Sequence, residues 1–160
     1  MPVMSKLTAA YLAGLIDGEG SIGFYNTGNH RIKEKSYGPY PSIRLRIGMT
    51  DKNIIEWLKE SFGGYFDTRK YPNNSKYNDA YCWSIAGEKC EKVLRHIYPY
   101  LKIKKRHCEI ALKRFKIRPP TGNNGGFQEK WTDEQKEQVD ILKKELKTLN
   151  HRGKLCTLND

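Results

Sequence analysis

The chain has 160 residues, 38% of them hydrophobic, so it can bury one core and is not disordered throughout. Its 29 Lys and Arg against 18 Asp and Glu give a formal charge of +11. Such an excess favours a polyanionic partner, nucleic acid first, and it leaves a solubilising surface as the plainer alternative. No long apolar segment is present, so we expect no membrane partner.

Hydrophobic periodicity predicts an α+β fold in the order αββαββα, a four-stranded antiparallel sheet with helices on one face and a polar face left open. Helices are predicted at 7–18, from 50 or 51 to 62, at 88–97, within the basic segment 102–118, and from a capping box at 132; strands are predicted at 21–27, 42–49, 65–71 and 79–85. We expect a core domain at 1–118, a linker at 119–131, and a C-terminal helix and tail at 132–160 packed on the same domain.

The N-terminus has neither the charged and apolar regions of a secretory signal nor the Arg-rich and Ser-rich composition of a transit peptide. We therefore expect an intracellular protein, with cytoplasm and organelle not distinguished. The cysteines show no zinc-like spacing, which predicts reduced thiols. They are Cys82, Cys90, Cys108 and Cys156.

The segment YLAGLIDGEG, residues 11–20, places glycines in a helix, where each costs about 1 kcal/mol relative to alanine. Ala10, Gly14 and Gly18 are spaced by four residues and share one side of that helix. A stripe of small residues lets another backbone approach closely. Because the pattern has no second copy in the chain, we predict that the same helix of a second molecule packs there, giving a two-fold dimer.

Glu19 lies where this helix is predicted to end, close to the dimer axis. Two such carboxylates brought together repel unless a cation lies between them, and hard oxygen ligands select Mg²⁺ or a similar ion. The alternative for Glu19 is a solvated turn carboxylate. For Asp17, a hydrogen-bonding role at the helix end is favoured over a role as a metal ligand.

This segment resembles the LAGLIDADG motif of homing endonucleases and related intron maturases, matching at seven positions: Leu12, Ala13, Gly14, Leu15, Ile16, Asp17 and Gly20. The resemblance covers roughly residues 5–117 and is closest to the single-motif, homodimeric members. It implies motif helices at the dimer interface, a saddle of two sheets astride duplex DNA, and Mg²⁺ or Mn²⁺ as cofactor.

The resemblance also implies an active site. The acid that binds metal in the family falls on Glu19, a backbone carbonyl ligand falls on Gly18, and the stretch PYLKIKK puts a catalytic lysine at Lys104. A basic residue of the family's pocket falls on Asn53. The family's usual Gln is missing, because Met49, Thr50 and Asp51 occupy that part of the sequence.

If the sheet straddles DNA, the side chains that alternate with the apolar ones face the major groove. These are Tyr25, Thr27 and Asn29 on the first strand, Ser42, Arg44 and Arg46 on the second, Tyr65, Asp67 and Arg69 on the third, and Asn78, Ala80 and Cys82 on the fourth. Basic side chains of the segment 102–118 are predicted to contact phosphates. They are Lys102, Lys105, Arg106, Lys113, Arg114, Lys116 and Arg118.

The sequence therefore predicts a homodimeric, metal-dependent endonuclease that makes a double-strand break in a long, near-palindromic DNA site. Two alternatives remain on the same fold: a maturase-like protein that binds intron RNA, and a DNA-binding regulator that does not cleave. The missing Gln favours the maturase-like alternative in particular, and the regulator remains because a fold alone does not determine a function.

Overall fold

The computed structural model describes residues 4–25, 42–71, 78–117 and 131–150. The helices are α1 (Lys6–Glu19), α2 (Lys52–Phe62), α3 (Gly87–Ile97), α4 (Lys105–Lys116) and α5 (Asp133–Asn150), with a 3-10 turn at Tyr98–Tyr100. The strands are β1 (Gly20–Tyr25), β2 (Ser42–Met49), β3 (Tyr65–Arg69) and β4 (Ala80–Ala86). Their order confirms the predicted αββαββα arrangement.

The four strands form one antiparallel sheet in the order β1-β2-β4-β3. Gly20 pairs with Ile47, Ile47 pairs with Trp83, and Trp83 pairs with Phe66, so the register is continuous across all four strands. Because the two strands are antiparallel, the first residue of β1 lies beside the last residues of β2. This register brings the end of α1 close to the start of α2.

One face of the sheet is covered and the other is open, as the strand alternation predicts. Helices α1, α2, α3 and α4 all pack on strands of the covered face. The apolar side chains on that face are at most 2% exposed, and they are Ile22, Ile43, Leu45, Ile47, Trp83 and Ile85. Because the side-chain period of a strand is two, burying this set turns the alternate residues to the open face.

Two glycines end α2, as predicted, and lead the chain into β3. Gly63 and Gly64 have φ of 71° and 89°, in the left-handed region that favours glycine. A Cβ on Gly64 would lie 2.5 Å from the carbonyl oxygen of Ser84. The Trp83 indole nitrogen donates to the Gly63 carbonyl at 2.7 Å, which ties this turn to the core.

The C-terminal helix α5 packs against α4. Its predicted capping box is confirmed: the Gln135 amide donates to the Thr132 hydroxyl at 3.2 Å, and the Thr132 amide donates to Gln135 Oε1 at 3.1 Å. Leu142 and Leu146 form an apolar cluster with Ile110 of α4. Of the predicted linker, residues 119–130 lie outside the described residues.

One sequence expectation differs from the structure, and part of another falls on residues that the structure does not describe. The described part of β1 ends at Tyr25, and the predicted DNA contacts Thr27 and Asn29 lie outside the described residues. β3 ends at Arg69, two residues earlier than predicted. Leu7, an apolar residue of α1, is 85% exposed.

None of the helices that the structure describes has the length and apolar character needed to cross a bilayer.

Candidate functional site

Helix α1 begins and ends with defined hydrogen bonds. The Ser5 hydroxyl caps its start by accepting from the Thr8 amide at 3.1 Å, and the Gly20 amide closes its end by donating to the Ile16 carbonyl. A Cβ on Gly20 would lie 2.7 Å from the Ile16 Cα, so the junction of α1 and β1 has no room for a side chain. This explains the glycine at position 20 from contacts within the chain.

The two sides of α1 have opposite surroundings. Ala9, Leu12, Ala13 and Ile16 are buried, whereas the side carrying the small-residue stripe is exposed. A Cβ on Gly14 or Gly18 would meet no atom within 4 Å, so neither glycine is explained by packing in the described part of the chain. The exposed side carries Leu7, Ala10, Tyr11, Gly14 and Gly18.

Asp17 fastens the end of α1 to the turn before α4. Its Oδ2 accepts from the amides of Lys102 at 2.8 Å and Ile103 at 3.2 Å, and its Oδ1 accepts from the Lys104 amide at 2.8 Å. These residues are 85 to 87 positions from Asp17 in the sequence. The structure thus gives Asp17 the hydrogen-bonding role that the sequence analysis favoured.

The charge state of Asp17 follows from these contacts. Burial by itself raises the pKa of the carboxyl group, but the amides of Lys102, Lys104 and Ile103 and the charge of Lys104 lower it. The net result is a pKa below the ordinary value, because three N–H donors satisfy the ionised form. Asp17 is therefore ionised at neutral pH and holds the turn in place.

Lys104 is positioned by the same turn. It is the residue before α4, and its Nζ donates to the Asp17 carbonyl oxygen at 2.6 Å. The carbonyls at the end of α1 carry the negative end of the helix dipole, which favours a cation there. The ammonium group consequently lies at the end of α1, against the carbonyl of the residue that precedes Gly18 and Glu19 in the sequence.

Glu19 is the last residue of α1, and its side chain is exposed. Its carboxylate and the backbone carbonyl of Gly18 are oxygen ligands of the kind that Mg²⁺ and Mn²⁺ accept. Among the described residues, no three His, Cys, Asp or Glu side chains are grouped as a metal site. This donor chemistry fits a hard divalent cation.

Asn53 lies in the first turn of α2, the helix that follows β2. No hydrogen bond links it to Glu19 or Lys104 in the part of the chain that the structure describes. Asp51, from the run where the family's Gln is missing, caps α2 by accepting from the Ile54 amide at 3.2 Å. The structure thus places the Lys104 ammonium on the last turn of α1, which also carries Gly18 and Glu19, whereas Asn53 lies on a separate helix.

The open face of the sheet carries most of the predicted DNA contacts. Arg46, Tyr65, Asp67 and Arg69 are exposed, and Asn78 is exposed just before β4. The other predicted contacts that the structure describes on this face are partly exposed: Tyr25, Ser42, Arg44, Ala80 and Cys82. Tyr81 is partly buried and Trp83 fully buried on the covered face, as predicted. The face is rich in hydrogen-bonding side chains and has more arginines than acids.

Two arginines on this face contact other residues that were also predicted to contact DNA. The Arg44 guanidinium lies 3.7 Å from the centre of the Tyr25 ring, and Arg46 Nε donates to Cys82 Sγ at 2.7 Å. A third arginine, Arg69, lies 5.3 Å from the Tyr71 ring. The alternation along each strand predicts that these residues lie on one face of the sheet. Which of their side chains are in contact depends on the register between the strands.

Two of the basic residues predicted to contact phosphates lie at opposite ends of α4. Lys105 and Lys116 are both exposed, 11 residues of helix separate them by about 16 Å, and only Lys105 follows Lys104 directly. α4 packs on the covered face of the sheet, so neither lysine belongs to the open face.

The prediction that Arg114 contacts phosphate is wrong. Arg114 is 9% exposed, donates to the Ile117 carbonyl at 2.8 Å, and lies 4.8 Å from the Trp131 ring. Arg106 lies between two carboxylates, Glu109 at 3.0 Å and Glu145 of α5. Arg118 lies outside the described residues. Helical periodicity did not reveal the pairing of Arg106 with Glu145, because α5 is remote in sequence.

A family profile described as LAGLIDADG endonuclease matches residues 12–116, which is more than half of the chain. The match includes the end of α1, the open face of the sheet and the Lys104 turn. No curated protein sequence matches this chain.

Solved structures show the same fold at low sequence identity. The homing endonuclease I-CvuI in complex with its target, in the presence of calcium, is 18% identical with a TM-score of 0.64, covering 90% of this chain and 82% of its own. The archaeal intron-encoded homing endonuclease I-Vdi141I, complexed with DNA, is 15% identical with a TM-score of 0.64, covering 89% and 84%. I-SmaMI bound to an uncleaved DNA target with calcium is 22% identical with a TM-score of 0.60, covering 86% of this chain but only 44% of its own.

Proposed function

Because the chain belongs to the LAGLIDADG endonuclease family, whose members are DNA-cleaving hydrolases, we propose that it is a sequence-specific homing endonuclease that makes a metal-dependent double-strand break. It acts as a homodimer on a long, near-palindromic site, and each subunit hydrolyses one phosphodiester strand. The observation that carries this proposal is the Lys104 ammonium, which donates to the Asp17 carbonyl at 2.6 Å on the last turn of α1, the turn that also carries Glu19.

In the proposed mechanism, Glu19 and the Gly18 carbonyl would hold the cation, and Lys104 would act on the phosphate or the water. Mg²⁺ or Mn²⁺ there would supply Lewis-acid stabilisation of the charge that develops on the phosphate. Lys104 presents a positive charge that stabilises the same developing charge or orders the attacking water. Asp17 keeps Lys104 in position through the turn, without touching the reacting atoms. Asn53 is proposed to help organise the surrounding water.

Dimerisation through α1 is supported by the bare stripe of Ala10, Gly14 and Gly18. Open space next to both glycines permits a second helix to approach closely. A two-fold seam there brings two copies of Glu19 together at the axis, so the cation site is completed by the partner and the DNA. Matches that cover 82% of I-CvuI but 44% of I-SmaMI support the idea that one chain forms one half of the full nuclease.

Binding of duplex DNA is supported by the net charge of +11 and by the open face with its arginines. The structures of I-CvuI and I-Vdi141I are complexes with DNA targets. We propose the open face as the surface that enters the major groove, through the side chains of Tyr25, Ser42, Arg44, Arg46, Tyr65, Asp67, Arg69, Asn78 and Cys82. Lys105 is proposed to contact phosphate near the active site, and Lys116 is proposed to contact phosphate farther out.

The test is to incubate the purified full-length chain with a randomised duplex library in Mg²⁺ and to sequence the ends produced. We expect paired cuts at one enriched, near-palindromic site, and no cutting in EDTA. Enrichment of a bound sequence without cut ends would favour the non-cleaving regulator. Neither cutting nor enrichment, together with binding of structured RNA, would favour the maturase-like alternative.

A further inference from the structure

We infer that Arg44 and Arg46 each read a guanine in the DNA half-site and that Tyr25 and Cys82 hold these two arginines in reading position. The inference rests on the proposed function and deepens it, because it assigns two base preferences to the target. Tyr25 and Cys82, which line the proposed DNA-binding face, then act through the arginines as positioning residues.

The first pair joins β1 and β2. In the strand register Arg44 pairs with Gly23 on one side and Ala86 on the other, whereas Tyr25 is the diagonal neighbour. Neither direct neighbour is large enough to hold a long side chain. The guanidinium therefore leans over the Tyr25 ring at 3.7 Å and stacks on it.

The second pair joins β2 and β4 in the same way. Arg46 pairs directly with Ser21 and Ser84, both small, and its partner Cys82 is again the diagonal neighbour. The contact is a hydrogen bond from Arg46 Nε to Cys82 Sγ at 2.7 Å. Both arginines thus have small residues directly beside them and one contacting side chain placed diagonally, and that contact restrains the rotamer of the arginine.

Both contacts leave the guanine-binding edge of the arginine available. Stacking on Tyr25 uses the flat face of the Arg44 guanidinium, and the bond to Cys82 uses only the Nε of Arg46. In each case the terminal N–H groups remain for the O6 and N7 acceptors of guanine, the commonest specific contact in the major groove. An arginine whose rotamer is already limited loses less entropy when it binds a base.

The register also orders the two guanines along the half-site. Arg46 is closer than Arg44 to the C-terminal end of β2. That end of β2 lies beside Gly20, next to the proposed cleavage site. Residues two apart on a strand are separated by about 6.6 Å, which matches about two base-pair steps of 3.4 Å along the duplex. We therefore expect an inner guanine read by Arg46 and an outer guanine read by Arg44, about two base pairs apart.

The experiment is selection of bound duplexes from a randomised library by the full-length chain in EDTA, so that metal-dependent cutting does not remove bound DNA. Wild type is compared with Arg44→Ala and Arg46→Ala. We expect a roughly 5- to 150-fold preference for guanine at each of the two positions, lost at the outer one in Arg44→Ala and at the inner one in Arg46→Ala.

Matched variants separate positioning from general structure. Tyr25→Leu should weaken the outer preference about two- to fivefold, whereas Tyr25→Phe, which keeps the ring face, should retain it. Cys82→Val should weaken the inner preference about two- to twelvefold, whereas Cys82→Ser, which keeps an acceptor, should retain it. Each pair serves as the control for the other position, because a merely structural defect would lower both preferences together.

The contrary outcomes are distinct. A chain that cuts its selected site in Mg²⁺ but shows no guanine preference at these positions would overturn this inference and leave the endonuclease proposal standing. Equal weakening of both preferences by Tyr25→Leu, or by Cys82→Val, would remove the positioning role. A chain that neither binds nor cuts any duplex would overturn the inference and the proposed function together.

Discussion

The end of α1 and the open face of the sheet are both polar, but different parts of the chain build them. At the end of α1, backbone amides and a helix carbonyl make the contacts, so Asp17 and Lys104 are fixed by the fold itself. On the open face, side chains touch other side chains across strands, as Arg44 touches Tyr25. A substitution at the end of α1 can therefore alter the proposed cleavage without altering the proposed DNA recognition by the open face, and the reverse also holds.

The largest effect that separates the two regions is expected from Glu19→Gln. Loss of the carboxylate charge should lower cleavage in Mg²⁺ by about a thousandfold, which corresponds to the several kcal/mol that a bound metal contributes. DNA binding should remain, because the open face is unchanged. Single-turnover cleavage and gel-shift affinity measure the two effects. The matched control is Glu60→Gln on α2, and a Glu19→Gln chain that still cuts would remove Glu19 from the site.

Gly14→Leu tests whether two chains dimerise through α1. The leucine meets open space within one chain, so folding should be retained, but it should clash in the seam at a cost of about 1–3 kcal/mol at each symmetric contact. Sedimentation should show monomers, and circular dichroism should show an unchanged fold. Lys59→Leu, which adds the same side chain on the exposed surface of α2, is the control. A Gly14→Leu chain that dimerises as well as wild type would refute the seam.

Asp17→Ala should lower the free energy of unfolding by about 1–3 kcal/mol, because it leaves three backbone amides without their acceptor. The folded-state pKa of Asp17 is depressed, so its stabilisation is complete above the unfolded-state value of about 3.9 and is lost as the pH falls through the folded-state value. Urea unfolding of both chains should thus show the largest difference at neutral pH and a smaller one below about pH 4.

The control for that measurement is Asp133→Ala, since Asp133 also has a lowered pKa through its hydrogen bond and charge interaction with Lys136, yet lies on the surface. Its removal should change stability little. A difference between wild type and Asp17→Ala that grows on acidification would show that the carboxylate is not what holds the turn.

The smallest effect on stability is expected for Arg46→Ala on the open face. The free energy of unfolding should change by less than about 0.5 kcal/mol, while discrimination at one base pair per half-site falls by about 1–3 kcal/mol. Competition binding with single-substituted duplexes gives the second value. Lys59→Ala serves as the control. A uniform loss across all sequences would assign Arg46 to phosphate.

The fold and much of the site follow from local sequence patterns. The alternation of Ile43, Leu45 and Ile47 determined which face of β2 is buried, because neighbouring side chains on a strand must point in opposite directions. The motif itself located Glu19 at the end of a helix, and the spacing of Gly14 and Gly18 identified the exposed stripe. Each of these conclusions requires only neighbouring residues.

Only the tertiary structure decided which distant groups meet. The bonds from Asp17 to the Lys104 turn span 85 to 87 residues, and the contact of Arg46 with Cys82 spans 36. The burial of Arg114 beside Trp131 likewise depends on the segment that leads into α5. Periodicity carries no information on such pairs, because the register of strands and the packing of helices are set by the whole core at once.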